Sequence, residues 1–436
     1  MDAKFNSPLS NAKPTSSSLL KLATSMLQKI LIMVLLLLSV FSYHPLVTDS
    51  ASLMGTTRSI IYGLAVLSVF VSLVGLNRKK YPRILSQWLI TAILLVVEAL
   101  LLDAITNTTS LYGEVISLLL PLGLTLIGYS LQCTPKYILN CVTLYGIALA
   151  FAGVAQIYNN FGGFVIDDQY ARFAKNSYGP MISVFILAAL QFLFSKWVPK
   201  INKIVLVFLS VLDLTVLITI RARTALFAVI ILALFIVFFH FRSQVKNATD
   251  RRAKILGRVS LGVLMISTIV IIFSQQIEYI IDYVNQSIFL NKQGDITSGR
   301  LVGYQQALNV IGDYPLWGSI QGGELDYWVH NYILLIMSSY GLLGSLILLI
   351  FYFMLLYVVL KGSLLQKDSD ISSMGFWAVL VHFFTSLAEP TFPFSPGTAV
   401  LMAYVLLGWS LSQAQCANSC RCPTESVHSY PEKHFL

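Results

Sequence analysis

Charge is the scarcest commodity in this 436-residue chain. Only 11% of its residues are Asp, Glu, Lys or Arg, against roughly 25% in soluble domains. With 56% hydrophobic residues and a mean hydropathy of +0.75, this shortage excludes an ordinary water-soluble globule. Cysteine is limited to Cys133, Cys141, Cys416, Cys420 and Cys422, which reads as reduced thiols and no disulfide framework. The apolar runs lack the in-out alternation of outer-membrane strands, which argues against a transmembrane β-barrel. No small-residue cleavage pattern follows the first run, so it reads as a retained span and not a removed signal.

What remains is a series of runs long enough to cross a hydrocarbon core. Such a crossing takes about 20 apolar residues, and about twelve runs qualify. They fall near 26–43, 59–76, 84–103, 112–132, 137–157, 177–195, 204–220, 224–241, 256–274, 341–360, 373–388 and 398–413. The expected fold is therefore all-α, a polytopic membrane protein of about 12 transmembrane helices. Residues 1–25 form a polar leader expected to be disordered and cytoplasmic. Residues 26–413 form one membrane domain, and 414–436 a cytoplasmic tail in which "CANSCRC" reads as an unstructured thiol-bearing stretch.

The net charge of +9 would suggest a nucleic-acid partner in a soluble protein. Here the positive-inside rule explains it, and no nucleic acid is expected. With both termini in the cytoplasm, all but seven of the 29 basic residues fall on inner connections. The seven are Arg58, Arg172, Lys175, Arg221, Arg223, Lys292 and Arg300. Topogenesis does not account for outward cations, so a functional reading is the default where they approach membrane depth.

Two outer segments exceed a plain turn. One is "NNFGGFVIDDQYARFAKN". The other, 274–329, is a large periplasmic loop that is long enough to be functional. Within it "SGRLVGYQQALNVIGDYP" predicts a helix: Ser298 caps it, Leu301, Tyr304, Leu308 and Ile311 form one apolar stripe, and Gly312 and Pro315 stop it. This helix is expected to lie along the membrane surface with the stripe inward. Arg300 in its first turn opposes the helix dipole, which a bound anion would offset. The stretch from His330 to Lys361 is too long for one simple span. A short helix headed by His330, a break near Gly341 and then a span solve this.

Several side chains are candidates for chemistry. Arg221 and Arg223, two residues apart in a hairpin turn, match phosphate oxygens bidentately; lipid-headgroup snorkelling is the competing reading. His330 in "VHNY" stands where the chain returns to the bilayer. An imidazole titrates near neutrality, so it can act as general base. A histidine bonded only to a loop carbonyl is the bland alternative. Asn331 is beside it, and Glu389 in "AEPTFPFSPG" stands at an outer edge. Asp213 and Glu98 are intramembrane carboxylates, which keep a proton-relay reading open.

The order "IRART", then "SGRL…GDYPLWG", then "VHNY…YGLLG" resembles the O-antigen ligase and polymerase superfamily, over roughly Ile220 to Leu360. "RFAKNSYG" at Arg172 is similar to a stretch before a mid-chain span in that group. The resemblance implies a C-type glycosyltransferase-like membrane fold and a glycan taken from an undecaprenyl diphosphate carrier at the outer face of the bacterial inner membrane. It implies no metal, no nucleotide sugar and no other cofactor. His330, Arg300 and Arg223 take the catalytic positions, although Ala222 stands where the family has serine. Arg221, Arg172, Asn331 and Glu389 are the candidate substrate contacts. The implied partners are an undecaprenyl-diphosphate-linked oligosaccharide, an acceptor glycan or lipid A core, membrane lipids and a chain-length regulator.

A repeat-unit polymerase is the preferred reading, with a ligase that joins glycan to lipid A core as its alternative. A multi-span transporter or glycolipid flippase is the reading from another class. It would need similar halves and broken helices carrying charge at mid-depth, and no half-chain repeat is visible.

Overall fold

The computed structural model of the protein describes residues 16–75, 83–106, 111–131, 133–161, 175–220, 222–246, 300–321, 329–365, 371–390, 393–394 and 397–418. These residues are almost wholly helical, and no strand occurs among them. In chain order the helices are α1 (Ser16–Phe41), α2 (Pro45–Thr48), α3 (Ala51–Gly75), α4 (Arg83–Thr106), α5 (Leu111–Ser130), α6 (Pro135–Phe161) and α7 (Lys175–Phe194). There follow α8 (Lys200–Thr219), α9 (Arg223–Lys246), α10 (Arg300–Asp313), α11 (Tyr332–Leu365), α12 (Met374–Ser386) and α13 (Leu401–Asn418).

Nine of the described helices are long and apolar enough to cross a membrane, which fits a multi-pass membrane protein. All but one of the twelve apolar runs coincide with a described helix; the run at 256–274 lies outside the described residues. The first helix begins at Ser16, inside the stretch expected to be an irregular leader.

The shortest apolar helix is the most enclosed. Almost every residue of α12 is buried, and α13 is buried along most of its length. A helix apolar on all sides belongs inside a bundle, and these two occupy its middle. Lipid gives no hydrophobic drive for helices to pair, so close packing of small residues supplies the contact. A Cβ on Gly128 of α5 would lie 2.0 Å from the Val405 carbonyl oxygen of α13. One on Gly408 of α13 would lie 2.0 Å from that of Thr125 on α5. The two backbones therefore touch through a pair of glycines.

Contacts sort the helix ends into two groups. At one end Ser42 Oγ is 3.2 Å from Thr398 Oγ1 and Gln156 Nε2 donates to the Tyr43 carbonyl at 2.6 Å. At the other, the Tyr137 hydroxyl donates to the Lys29 carbonyl at 2.6 Å, and Gln28 Nε2 donates to Ser72 Oγ at 2.9 Å. Arg58, Arg223 and Arg300 stand at the first end, whereas Lys29, Lys136, Lys200 and Lys203 gather at the second.

The expected break at Gly341 is present. Its φ of 65° and ψ of −171° interrupt α11, a conformation open essentially to glycine alone. A break strands backbone groups, and the Tyr314–Ile320 segment satisfies them. Leu342 N donates to the Pro315 carbonyl at 2.8 Å and Leu343 N to that of Leu316 at 3.1 Å. In return Ser319 Oγ donates to the Ser339 carbonyl at 3.2 Å. Gly318, at φ 58°, passes so close that a Cβ would meet the Ser338 carbonyl oxygen at 2.4 Å. The "YPLWG" segment is thus a plug seated in the kink, and it ties α10 to the head of α11.

This seating makes Gly341→Ala costly. The new Cβ would stand 2.3 Å from backbone atoms of Leu316 and Trp317, besides forcing a disfavoured φ. A loss of about 3 kcal/mol or more is expected in detergent unfolding. Gly312→Ala, where a Cβ has nothing within 4 Å, is expected to be neutral or slightly stabilising.

Candidate functional site

The plug and the kink bring α10, the start of α11 and the connection after α12 together, and Glu389 sits where they meet. Its residue is 5% exposed. Arg300 Nη2 donates to Glu389 Oε1 at 2.7 Å, and His330 Nδ1 lies 3.4 Å from Glu389 Oε2. The Arg300 and His330 side chains keep 26% and 29% exposure. The carboxylate therefore lies beneath, and the two basic groups form the accessible layer. A buried carboxylate without a partner is strongly disfavoured, so this one needs both of its neighbours. With Nδ1 turned to Glu389, Nε2 is the ring nitrogen left for an incoming group.

Local structure fixes each member. His330 directly precedes α11, and Asn331 caps that helix: its Oδ1 accepts from Leu334 N at 2.9 Å. Asn331 Nδ2 donates to the Leu387 carbonyl at 3.1 Å, which pins the start of α11 to the connection bearing Glu389. The Tyr304 hydroxyl donates to the His330 carbonyl at 2.7 Å, joining α10 to the same point. Burial pushes the Tyr304 phenol up, Arg300 pulls it down and Glu389 pushes it up again, so it is held in its donor form.

The face by which α10 packs on the bundle is not its apolar stripe. Leu301 and Leu308 are 63% and 54% exposed, and the buried stripe is Gly303, Ala307 and Val310. Small residues let α10 approach α11 closely enough for Tyr304 to reach His330, while the larger side chains stay outside. Close packing against protein favours small residues over oily ones, which leaves Leu301 and Leu308 on the outer side of α10.

Of the remaining candidates, Arg223 opens α9 at the same end of the bundle, half-buried, where Ala222 and Ala225 press on Gly179 of α7. Arg221 and Arg172 lie outside the described residues. The structure thus unites Arg300, His330 and Glu389, with Asn331 as their backbone anchor. No group of three His, Cys, Asp or Glu residues able to hold a metal occurs among the described residues.

Two participants escape a reading of the sequence. Tyr304 looks like part of an apolar stripe, and only its hydroxyl contact shows it as a strap. Glu114, in the first turn of α5, faces the buried Tyr332 hydroxyl. A carboxylate just inside an apolar run was the available signal. No family model and no curated protein matches this chain.

Proposed function

We propose that this chain is a membrane glycosyltransferase that elongates surface polysaccharide at the outer face of a bacterial inner membrane. It moves a glycan from undecaprenyl diphosphate to an acceptor sugar that is itself carrier-linked. The observation that supports this reading is the convergence of Arg300 and His330 on Glu389, from elements far apart in sequence. The resemblance stated for the sequence supplies the substrate class.

The chemistry follows from the arrangement. An acceptor hydroxyl attacks the anomeric carbon, the carbon–oxygen bond to the diphosphate breaks with its electron pair leaving on oxygen, and the configuration inverts. His330 Nε2 takes the hydroxyl proton. Glu389 holds the ring through Nδ1 and balances the imidazolium that forms, as the carboxylate of a hydrolytic triad does. Arg300 retains donors beyond the one given to Glu389, and these face the charge that grows on the leaving diphosphate. Arg223, with Arg221 and Arg172, supplies further phosphate contacts.

Glu389 acts here through His330, so their effects are not independent. Glu389→Gln is expected to slow turnover, and adding it to His330→Ala is expected to slow turnover no further. Strictly multiplicative losses in the double variant would show that the two act separately.

Deleting the gene and resolving surface glycans on a gel tests the function. Glycan reduced to a single repeat is the expected result. Uncapped core with accumulated carrier-linked polymer would point to a ligase instead, and an unchanged ladder would refute both.

A further inference from the structure

The bundle encloses a second carboxylate, remote in sequence from Glu389. Asp213 of α8 has no exposed surface, and neither of its oxygens has a hydrogen-bond partner among the described residues. Two phenols on neighbouring helices face it electrostatically, Tyr145 of α6 and Tyr178 of α7. The Tyr178 hydroxyl donates to the Leu149 carbonyl, whereas that of Tyr145 is buried and also unbonded. Among the described residues no cationic side chain offsets the carboxylate. The helices close tightly around it: a Cβ on Gly153 would lie 2.5 Å from Val216 and 3.3 Å from the Tyr178 hydroxyl.

An ionised carboxylate in such a place is strongly disfavoured unless a positive charge or a proton neutralises it. Asp213 brings two unbonded oxygens, and Tyr145, within electrostatic reach of it, brings one more. A polar route also leads there. Tyr145 is within electrostatic reach of Tyr43, whose ring lies 5.6 Å from that of Tyr178. The Tyr43 hydroxyl is directed to Thr398 and Ser177 at the helix ends that also carry Glu389, and Arg58 and Tyr62 of α3 face it there as well.

We propose that Asp213 and Tyr145 form an intramembrane site for one small monovalent cation, a proton or Na+, which exchanges with the Glu389 end of the bundle by way of Tyr43. The site is separate from Arg300 and His330 and does not depend on the glycosyltransferase reading. It gives the chain a cation-binding property that transfer of a sugar does not require.

Infrared difference spectra of the purified full-length protein test it. Wild type minus Asp213→Asn is expected to show one protonated-carboxyl band, lost in the variant and shifted by Tyr145→Phe. Tyr43→Phe is expected to slow the deuterium shift of that band without changing its size. Loss of the band on adding Na+ at constant ionic strength would name Na+ as the occupant, and an unaffected band would name the proton. If Asp213→Asn does not fold, labelling wild-type protein with an apolar carbodiimide, which adds to protonated carboxyls, reads the same group. Label on the Asp213 peptide that falls at alkaline pH or with Na+ supports the site. An ionised, Na+-insensitive Asp213, or no label at any pH, overturns it.

Discussion

Turnover of His330→Ala is expected to fall by roughly 100- to 10,000-fold, the range that loss of a positioned general base produces. The expectation rests on geometry. Nδ1 of the ring is 3.4 Å from Glu389 Oε2, and its backbone carbonyl is held by the Tyr304 hydroxyl at 2.7 Å. Both contacts aim the imidazole and leave Nε2 free. A carbohydrate hydroxyl is a poor nucleophile until its proton leaves, so the loss is expected in the chemical step and not in donor binding. Single-turnover rates at saturating donor check this. The fold should survive, because the partly exposed ring fills no core position and Asn331 still caps α11. A folded His330→Ala protein at wild-type rate would remove the base from the mechanism.

Arg300→Ala is expected to lose both turnover and stability, because the change acts twice. A guanidinium directed at a leaving diphosphate is worth about 3–4 kcal/mol of barrier. The same change strips Glu389 of the partner 2.7 Å away, and leaving one member of a buried pair typically costs about 3–5 kcal/mol of stability. The stability loss should fall below that range, since the Arg300 side chain is 26% exposed and water screens it in part. Adding Glu389→Gln separates the two effects. Arg300→Ala/Glu389→Gln should recover most of the melting temperature of the wild type and none of its turnover. Recovery of turnover would mean that Arg300 serves only to neutralise Glu389.

The spans and the break were legible because they are local. A bilayer-length apolar run shows itself residue by residue, and α11 had too many residues between His330 and Lys361 for one crossing, with Gly341 as the available hinge. The helix at Arg300–Asp313 was legible from its cap and stop signals. Its packing face was not. Periodicity ranks residues by oiliness, whereas α10 is seated by Gly303, Ala307 and Val310. Nor could spacing reveal the partners of Glu389, which stand 89 and 59 residues away in sequence. The sequence put Glu389 at an outer edge, and the return of the chain after α12 decides what it meets there. Tyr304, Glu114 and the Asp213–Tyr145 pair belong to the same class: each is defined by contacts between helices, which no single helical pattern records.

One measurement bears on the proposed chemistry above the others. Purified protein in lipid vesicles is given undecaprenyl-diphosphate-linked oligosaccharide, and the lipid-linked products are resolved by length. Wild type is predicted to yield longer glycans on the carrier with one undecaprenyl diphosphate released per bond formed, and His330→Ala and Arg300→Ala are predicted to yield almost none. Elongation at full rate by both variants would contradict the catalytic role of this site, and a folded wild type that forms no bond would contradict the transfer itself.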